Sequence, residues 1–302
     1  MISTISSKHF ICITKNGTNP AYEGARIGAR RIAEAAGHRL TSMFPAKPDD
    51  AEQQKALLRE AFAARPDALL VAPVHPAALD AELAAFKEAK IPVVSFVSRS
   101  QKVAPDCFVT SDNRALARSI ALHLFAALGD GGRIALIEGN PDSETSAPRT
   151  EGFLAAVAAT PGIEVVATRI GYYQREPAAR AMTGILDSAG DLDGVLVAND
   201  FMALGVIDVL RAAGSRARVV SVNAMPEAIA ALKSGDLLAT SAFDAMKIAC
   251  AATMAALRLT DGEAVPRNIE LPVEIVTAEN CTSWDKGYEE RPLPSWEDVV
   301  IA

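Results

Sequence analysis

The chain has 302 residues, half of them apolar, with 30 basic against 37 acidic side chains and a net charge of −7. That apolar share is ample for packed cores and excludes a disordered chain, while the length calls for two lobes. The acidic balance disfavours a phosphate backbone as partner, and no apolar run approaches the ~20 residues of a membrane span.

The amino terminus, MISTISSKHF, carries no apolar signal core and no small-residue cleavage site. Either a cytoplasmic chain or a mature form whose targeting segment has been removed is expected. From there, strand-like runs at 10–14, 68–71, 92–96, 133–137, 195–198 and 219–222 alternate with amphipathic helix candidates at 21–36, 50–63, 77–89 and 202–213. The strand runs are continuously apolar rather than alternating, as when helices cover both faces of a parallel sheet, so the class is α/β. Residues 69–96 and 195–222 align without a gap at an offset of 126, matching Leu70 with Leu196, Ala72 with Ala198 and Val93-Val94-Ser95 with Val219-Val220-Ser221. Equal spacing of strand, turn, helix and strand favours two similarly built lobes.

Ligands of open α/β sheets sit outside the carboxyl ends of the strands, which selects the loops to read. They are KNGTNPAY at 15–22, EGNPDSETSAPR at 138–149, GYYQR at 171–175, ND at 199–200 and NAMPE at 223–227. Three of the four tyrosines, Tyr22, Tyr172 and Tyr173, fall in them, which points to flat faces kept for a ligand, although loop tyrosines also simply straddle core and water.

Several chemistries are missing. In TKNGTNPAY the lysine precedes the glycine and no Ser/Thr opens the helix, which excludes a nucleotide P-loop; Gly17 reads as a turn residue. GxGxxG, HExxH and GxSxG are absent, so no dinucleotide cofactor, metal or nucleophile elbow is expected. The four cysteines, Cys12, Cys107, Cys250 and Cys281, form no CxxC pair. Cys12 and Cys250 read as core residues, and a Cys107–Cys281 disulfide in an oxidising compartment is left open. Asp112 reads as the N-cap of the helix from Asn113, and Asp200 allows the same reading. Nothing joins a nucleophile to a base, so the chain is not expected to be an enzyme.

NPAY, IPVVSF, SDN at 111–113, R-TEGF around Arg149, ANDFMALG and VVSVN occur in this order over residues 9–277. In that combination the chain resembles the type I periplasmic binding proteins of ABC transporters, in the ribose-type sugar-binding branch. The resemblance implies two Rossmann-like lobes, each a parallel sheet flanked by helices, joined by a three-crossing hinge with the ligand cleft between them. The crossings are expected near 111–113, 242–244 and 271–275. They divide the chain into an N-terminal lobe of 1–111 plus 244–270 and a C-terminal lobe of 112–243 plus 271–302. The tail from 280 on runs past the usual family end and reads as a non-helical strap packed on a lobe by its aromatics, with a partner surface as the alternative.

The resemblance further implies a cofactor-free, monomeric periplasmic protein that captures a carbohydrate-like ligand by hinge closure and delivers it to an ABC transporter permease. A sensory or regulatory effector domain using the same closure is the alternative, and a sugar-acting α/β enzyme a third. Pocket positions carried over are Asn19, Tyr22, Ser111, Arg149, Tyr173, Asn199 and Asn223, with Lys15 nearby and Phe243 at the second crossing. Lys15 is weighed against the ordinary fate of a loop lysine, which is to point to water. The chain departs from the ribose-type pattern at four places. Val97-Ser98-Arg99 stands where an aspartate is expected, with Arg99 as a candidate substitute; Asn223 replaces another aspartate, Ala72 an asparagine and Phe243 a glutamine. Such a carboxylate-poor pocket suits an anionic or mixed polar ligand, a sugar acid among them, or a short polyol.

Overall fold

The computed structural model describes residues 7–129 and 131–300. In chain order the first unit begins with β1 (His9–Ile13), α1 (Pro20–Ala35), β2 (Arg39–Met43), α2 (Ala51–Ala63), β3 (Ala68–Val71), α3 (Asp80–Glu88), β4 (Val93–Phe96) and β5 (Cys107–Thr110). The second follows with α4 (Asn113–Leu128), β6 (Gly131–Glu138), α5 (Ser146–Ala158), β7 (Gly162–Ile170), α6 (Arg175–Ala189), β8 (Gly194–Val197), α7 (Asp200–Ala212), β9 (Arg218–Val222), α8 (Pro226–Ser234) and β10 (Ala239–Ser241). Then α9 (Ala245–Thr260) and β11 (Asn268–Glu270) return to the first unit, and β12 (Ile275–Val276) and a 3-10 turn at Cys281–Trp284 to the second.

Each unit is built on one six-stranded sheet, ordered β11-β5-β4-β3-β1-β2 in the first and β12-β10-β9-β8-β6-β7 in the second. Every pairing in the first sheet is parallel, and only β10–β12 is antiparallel in the second. The central strands are buried along their whole length, which is why they read as unbroken apolar runs. The internal repeat maps β3–α3–β4 onto β8–α7–β9, which hold equivalent places in the two sheets. The helix of the first copy starts later than its sequence periodicity predicts. Nδ1 of His75 accepts from the amides of Ala77 (3.0 Å) and Ala78 (3.1 Å), holding those residues in a turn ahead of α3. The edge strands β2 and β7 escape the apolar-run criterion because Arg39, Glu164 and Arg169 face solvent on them, the usual protection of a sheet edge.

The starts of α1, α2, α4 and α7 carry side-chain caps. Asp112 accepts from the amides of Arg114 and Ala115, both at 2.9 Å, and caps α4 as its sequence implies. Asp200 does not cap α7. Asn199 does so, with Oδ1 accepting from Met202 N at 2.9 Å, and this corrects the reading of Asp200 as an N-cap.

The chain passes between the units at 110/111, 244/245, 271/272 and 287/288. Three of these transitions fall at or next to the expected crossings. The fourth corrects the assignment of all of 271–302 to the second lobe, because the chain from Tyr288 onward packs on the first unit. Arg31 donates to the carbonyls of Tyr288 (2.9 Å) and Arg291 (2.8 Å), and the Arg258 guanidinium lies 4.6 Å from the Trp296 ring centroid. Tyr288 and Leu293 cover the apolar group of Ile32, Met246 and Cys250. Residues 272–287 stay with the second unit, where Trp284 Nε1 donates to Glu274 Oε1 (2.7 Å) and Lys233 pairs with Asp285.

No helix among the described residues is long and apolar enough to cross a membrane. All four cysteines are buried free thiols, and burial pushes the thiols of Cys12 and Cys107 up to about 12. Ellman's reagent should therefore find no reacting thiol in the native protein and four after denaturation without reductant. Two after denaturation would mean that one pair is oxidised.

Candidate functional site

In each sheet the strand order reverses beside the first strand of its unit, between β1 and β3 and between β6 and β8. Polar loops are expected at the carboxyl ends around such a switch point.

In the first unit the loop after β1 is held from several sides. Arg26 Nη1 donates to Thr14 Oγ1 (2.8 Å) and to Asn16 O (2.9 Å), and its guanidinium lies 4.6 Å from the Phe44 ring centroid. A Cβ on Gly17 would lie 2.4 Å from the ring of the exposed Phe44, so a larger residue there must move that ring. Asn16 Oδ1 accepts from Asn19 N (3.0 Å), and its Nδ2 donates to Asp49 Oδ1 (3.2 Å). Gln54, fully buried, ties this loop to the one after β3: Nε2 donates to Thr14 O and Ala72 O, and Oε1 accepts from Val74 N.

On this frame Asn19 caps α1, its Oδ1 accepting from Ala21 N at 3.0 Å, which leaves its amide N–H groups to offer. Tyr22 stands half-buried on the first turn of α1. Lys15 is 3% exposed, which overturns the solvent-facing reading of that lysine. Ala72 supplies only its buried backbone, and Ser98 Oγ donates to Pro73 O (3.0 Å). Arg99 is exposed and turned to the β5–β11 side, 4.7 Å from the Phe108 ring and 3.3 Å from Asn268 Oδ1. The candidate substitution by Arg99 therefore places its cation beside β11.

The second unit gathers more of the expected residues. Arg149 on α5 is 3% exposed and pinned by two neutral acceptors, with Nε donating to Asn113 Oδ1 (2.8 Å) and Nη1 to Ala198 O (2.6 Å). Its guanidinium carbon lies 5.7 Å from the Tyr173 ring centroid and 4.9 Å from that of Phe243, so two aromatic faces flank the cation. No carboxylate touches Arg149 among the described residues, and its Nη2 has no protein partner there. Tyr173 is fixed in turn: its hydroxyl lies 3.0 Å from Thr145 Oγ1, and its ring presses on Gly139, where a Cβ would sit 2.2 Å from Cζ. Asn199 uses its Oδ1 as the α7 cap and keeps its amide N–H groups. Asn223 donates from N to Ser241 O (2.9 Å) and from Nδ2 to Phe243 O (3.2 Å), coupling the β9 and β10 loops. Ser111, buried, begins this unit, and its carbonyl accepts from Asn113 Nδ2 (3.2 Å).

Much of the backbone strain falls in the same loops; elsewhere among the described residues Asp49, Arg65 and Lys90, after β2, α2 and α3, also have positive φ. Val97 after β4, Tyr172 and Tyr173 after β7, and Asn223 and Ala224 after β9 all have positive φ without being glycine. Each such residue costs of order 1–3 kcal/mol and persists only where its surroundings over-determine it. Beneath Asn223 lies a carboxylate whose role was not legible in the sequence. Asp200 is fully buried and accepts from Ser221 Oγ, Thr240 Oγ1 (2.7 Å) and Met225 N (3.0 Å). Burial pushes its pKa up, while those hydrogen bonds and the Arg149 charge pull it back. The one signal for it in the sequence is that Asn199-Asp200 offers two capping residues where a helix needs one. Asn113 and Thr145, which steady Arg149 and Tyr173, also escape sequence reading. The described residues contain no His/Cys/Asp/Glu group suited to a metal ion.

The periplasmic binding protein domain model matches residues 10–264. The chain belongs to that family. It is 31% identical over 242 residues to the D-ribose/D-allose-binding protein of Pseudomonas aeruginosa, covering 76% of this chain and 75% of that one. An ABC transporter periplasmic solute-binding protein from Actinobacillus succinogenes, solved with bound D-allose, superposes with a TM-score of 0.86 at 25% identity, over 90% of this chain and 98% of that one. A solute-binding protein of an ABC transporter from Bacillus halodurans, solved with myo-inositol, gives 0.84 at 26% identity, over 94% and 99%. The family match ends at 264, so the tail that packs on the first unit from Tyr288 lies outside it.

The Gly139–Tyr173 contact yields a paired test. Gly139→Ala should lower stability in urea unfolding by about 1–3 kcal/mol, because the new methyl must displace the ring. Gly184→Ala, in α6 with open space around it, should raise stability by about 0.4–1 kcal/mol. Equal effects would contradict the packing described for Tyr173.

Proposed function

We propose that this protein is the solute-binding component of an ABC transporter. It captures a small carbohydrate-like ligand, a sugar, polyol or sugar acid, by hinge closure and delivers it to the permease. One observation carries the reading: Arg149 is pinned between the faces of Tyr173 and Phe243, beside loops in which Asn199 and Asn223 offer amides. Several fixed donors next to flat aromatic faces match the hydroxyls and the C–H faces of a polyhydroxylated ring. Relatives named for D-ribose and D-allose, and fold neighbours holding D-allose or myo-inositol, support the same ligand class.

The ligand contacts are Lys15, Asn19 and Tyr22 from the first unit, and Ser111, Arg149, Tyr173, Asn199, Asn223 and Phe243 from the second. The cycle needs no covalent step, since a ligand that binds the closed state better than the open one drives closure by that difference alone. The protein is accordingly a carrier and not an enzyme, working as a cofactor-free monomer in the periplasm, with no nucleic-acid partner. Neutral Asn223 in place of an aspartate, beside the cation of Arg149, leaves room for a carboxylate on the ligand, and the ligand panel decides that point.

Thermal shift with D-allose, D-ribose, myo-inositol and D-galacturonate should show stabilisation by at least one of them, without turnover. Stabilisation by neutral hexoses only would remove the sugar acid from the proposal. Tyr22→Ala and Asn199→Ala should each weaken the best ligand about tenfold or more in calorimetry, the loss of about 1.4 kcal/mol. Unchanged affinity in both variants would overturn the assignment.

A further inference from the structure

Asp200 has no free edge to offer a ligand. It is fully buried, and both carboxylate oxygens are taken up by protein donors. Those donors come from separate elements. Ser221 lies on β9, Thr240 on β10, and Met225 directly precedes α8, while Asp200 itself is the first residue of α7. Thr240 Oγ1 extends the set by accepting from Ala224 N at 3.3 Å. One carboxylate thus joins the starts of two helices to the ends of two strands.

What those ends carry gives the cluster its meaning. Asn199 is the residue before Asp200. Asn223 and Ala224 form the turn at φ 136° and 56° that Met225 and Ala224 anchor from below. Phe243 is tied to that turn through its carbonyl, which accepts from Asn223 Nδ2. We propose that Asp200 is a positioning residue of the binding site, fixing the spacing of Asn199, Asn223 and Phe243 without touching the ligand. The proposal rests on the reading of those three residues as ligand contacts.

The chemistry calls for a group that accepts throughout. Two hydroxyls and a backbone N–H converge on one point, and a carboxylate is the side chain that brings two acceptor oxygens to it. Capping does not explain it, since Asn199 already fills that role for α7. Core stability does not explain it either, because a well-packed apolar cluster would serve a buried position at least as well as a desolvated charge.

The test compares wild type with Asp200→Ala, Asp200→Asn and Thr240→Val by amide hydrogen exchange without ligand, and by calorimetry with D-allose and myo-inositol. In Asp200→Ala the amides of Ala224 and Met225 should exchange about tenfold faster or more, while Met202, held by Asn199, keeps its protection. The dissociation constant of the sugar that binds should rise about tenfold or more. Asp200→Asn should recover part of both, since its Oδ1 can take the Met225 amide while Nδ2 faces hydroxyls that must turn to accept. Wild-type exchange in Asp200→Ala overturns the proposal. So does weak binding in both Asp200 variants with the turn still protected, which would mark a direct contact or a counter-charge to Arg149. Should Asp200→Ala fail to fold, Thr240→Val keeps the charge and removes one link; faster exchange at Ala224 supports the proposal and unchanged exchange overturns it. If neither sugar binds wild type, the functional reading loses support, while the exchange comparison still decides whether Asp200 holds the turn.

Discussion

A parallel sheet covered by helices has apolar faces and no room on them for polar chemistry, so the polar side chains of each unit collect at the strand ends. Both units obey this constraint in the same strand order. In the first unit it gathers Lys15, Asn16, Asn19 and Gln54 around the carboxyl ends of β1 and β3, all of them buried. In the second it gathers Arg149, Asn199, Asp200 and Asn223 around β6, β8 and β9. Buried polar groups in loops must be hydrogen-bonded, and they are met by caps, carbonyls and the carboxylates of Asp49 and Asp200 in place of a ladder partner.

The consequence is a division of labour within single side chains. Asn19 and Asn199 each commit an oxygen to a helix N-terminus and retain the amide N–H groups. Arg149 commits Nε and Nη1 to neutral acceptors and presents its face to Tyr173 and Phe243. Each residue is locked by the half that the fold uses, so the other half is presented in a fixed direction. Preorganisation of this kind lowers the ordering cost of binding, which suits the binding role proposed above.

Much of this was legible in the sequence. The unbroken apolar runs gave the parallel strands, and the equal spacing of 69–96 and 195–222 gave the duplicated architecture. The loop polarity then singled out side chains that the structure places at the strand ends. What escaped it depends on distance in three dimensions. Arg26 reaches back to the loop after β1 from within α1, and Asp200 meets Thr240 across forty residues. The edge strands β2 and β7 lack an apolar run because solvent meets one side of them, and His75 delays α3 through a turn that periodicity cannot report. The return of the tail to the first unit follows from the fit of Tyr288 and Leu293 to an apolar surface, and surface fit leaves no mark in linear spacing.

The central claim is that ligand is taken at the carboxyl ends of these strands. The direct measurement is amide chemical-shift mapping of the isotope-labelled protein on titration with D-allose or myo-inositol. Shifts concentrated in residues 15–22, 139–149, 171–175, 198–202 and 223–226 are the predicted result. Shifts centred on the opposite strand ends, for instance in the ~570 Å³ cavity lined by Arg211, Arg216 and Arg218, would contradict it.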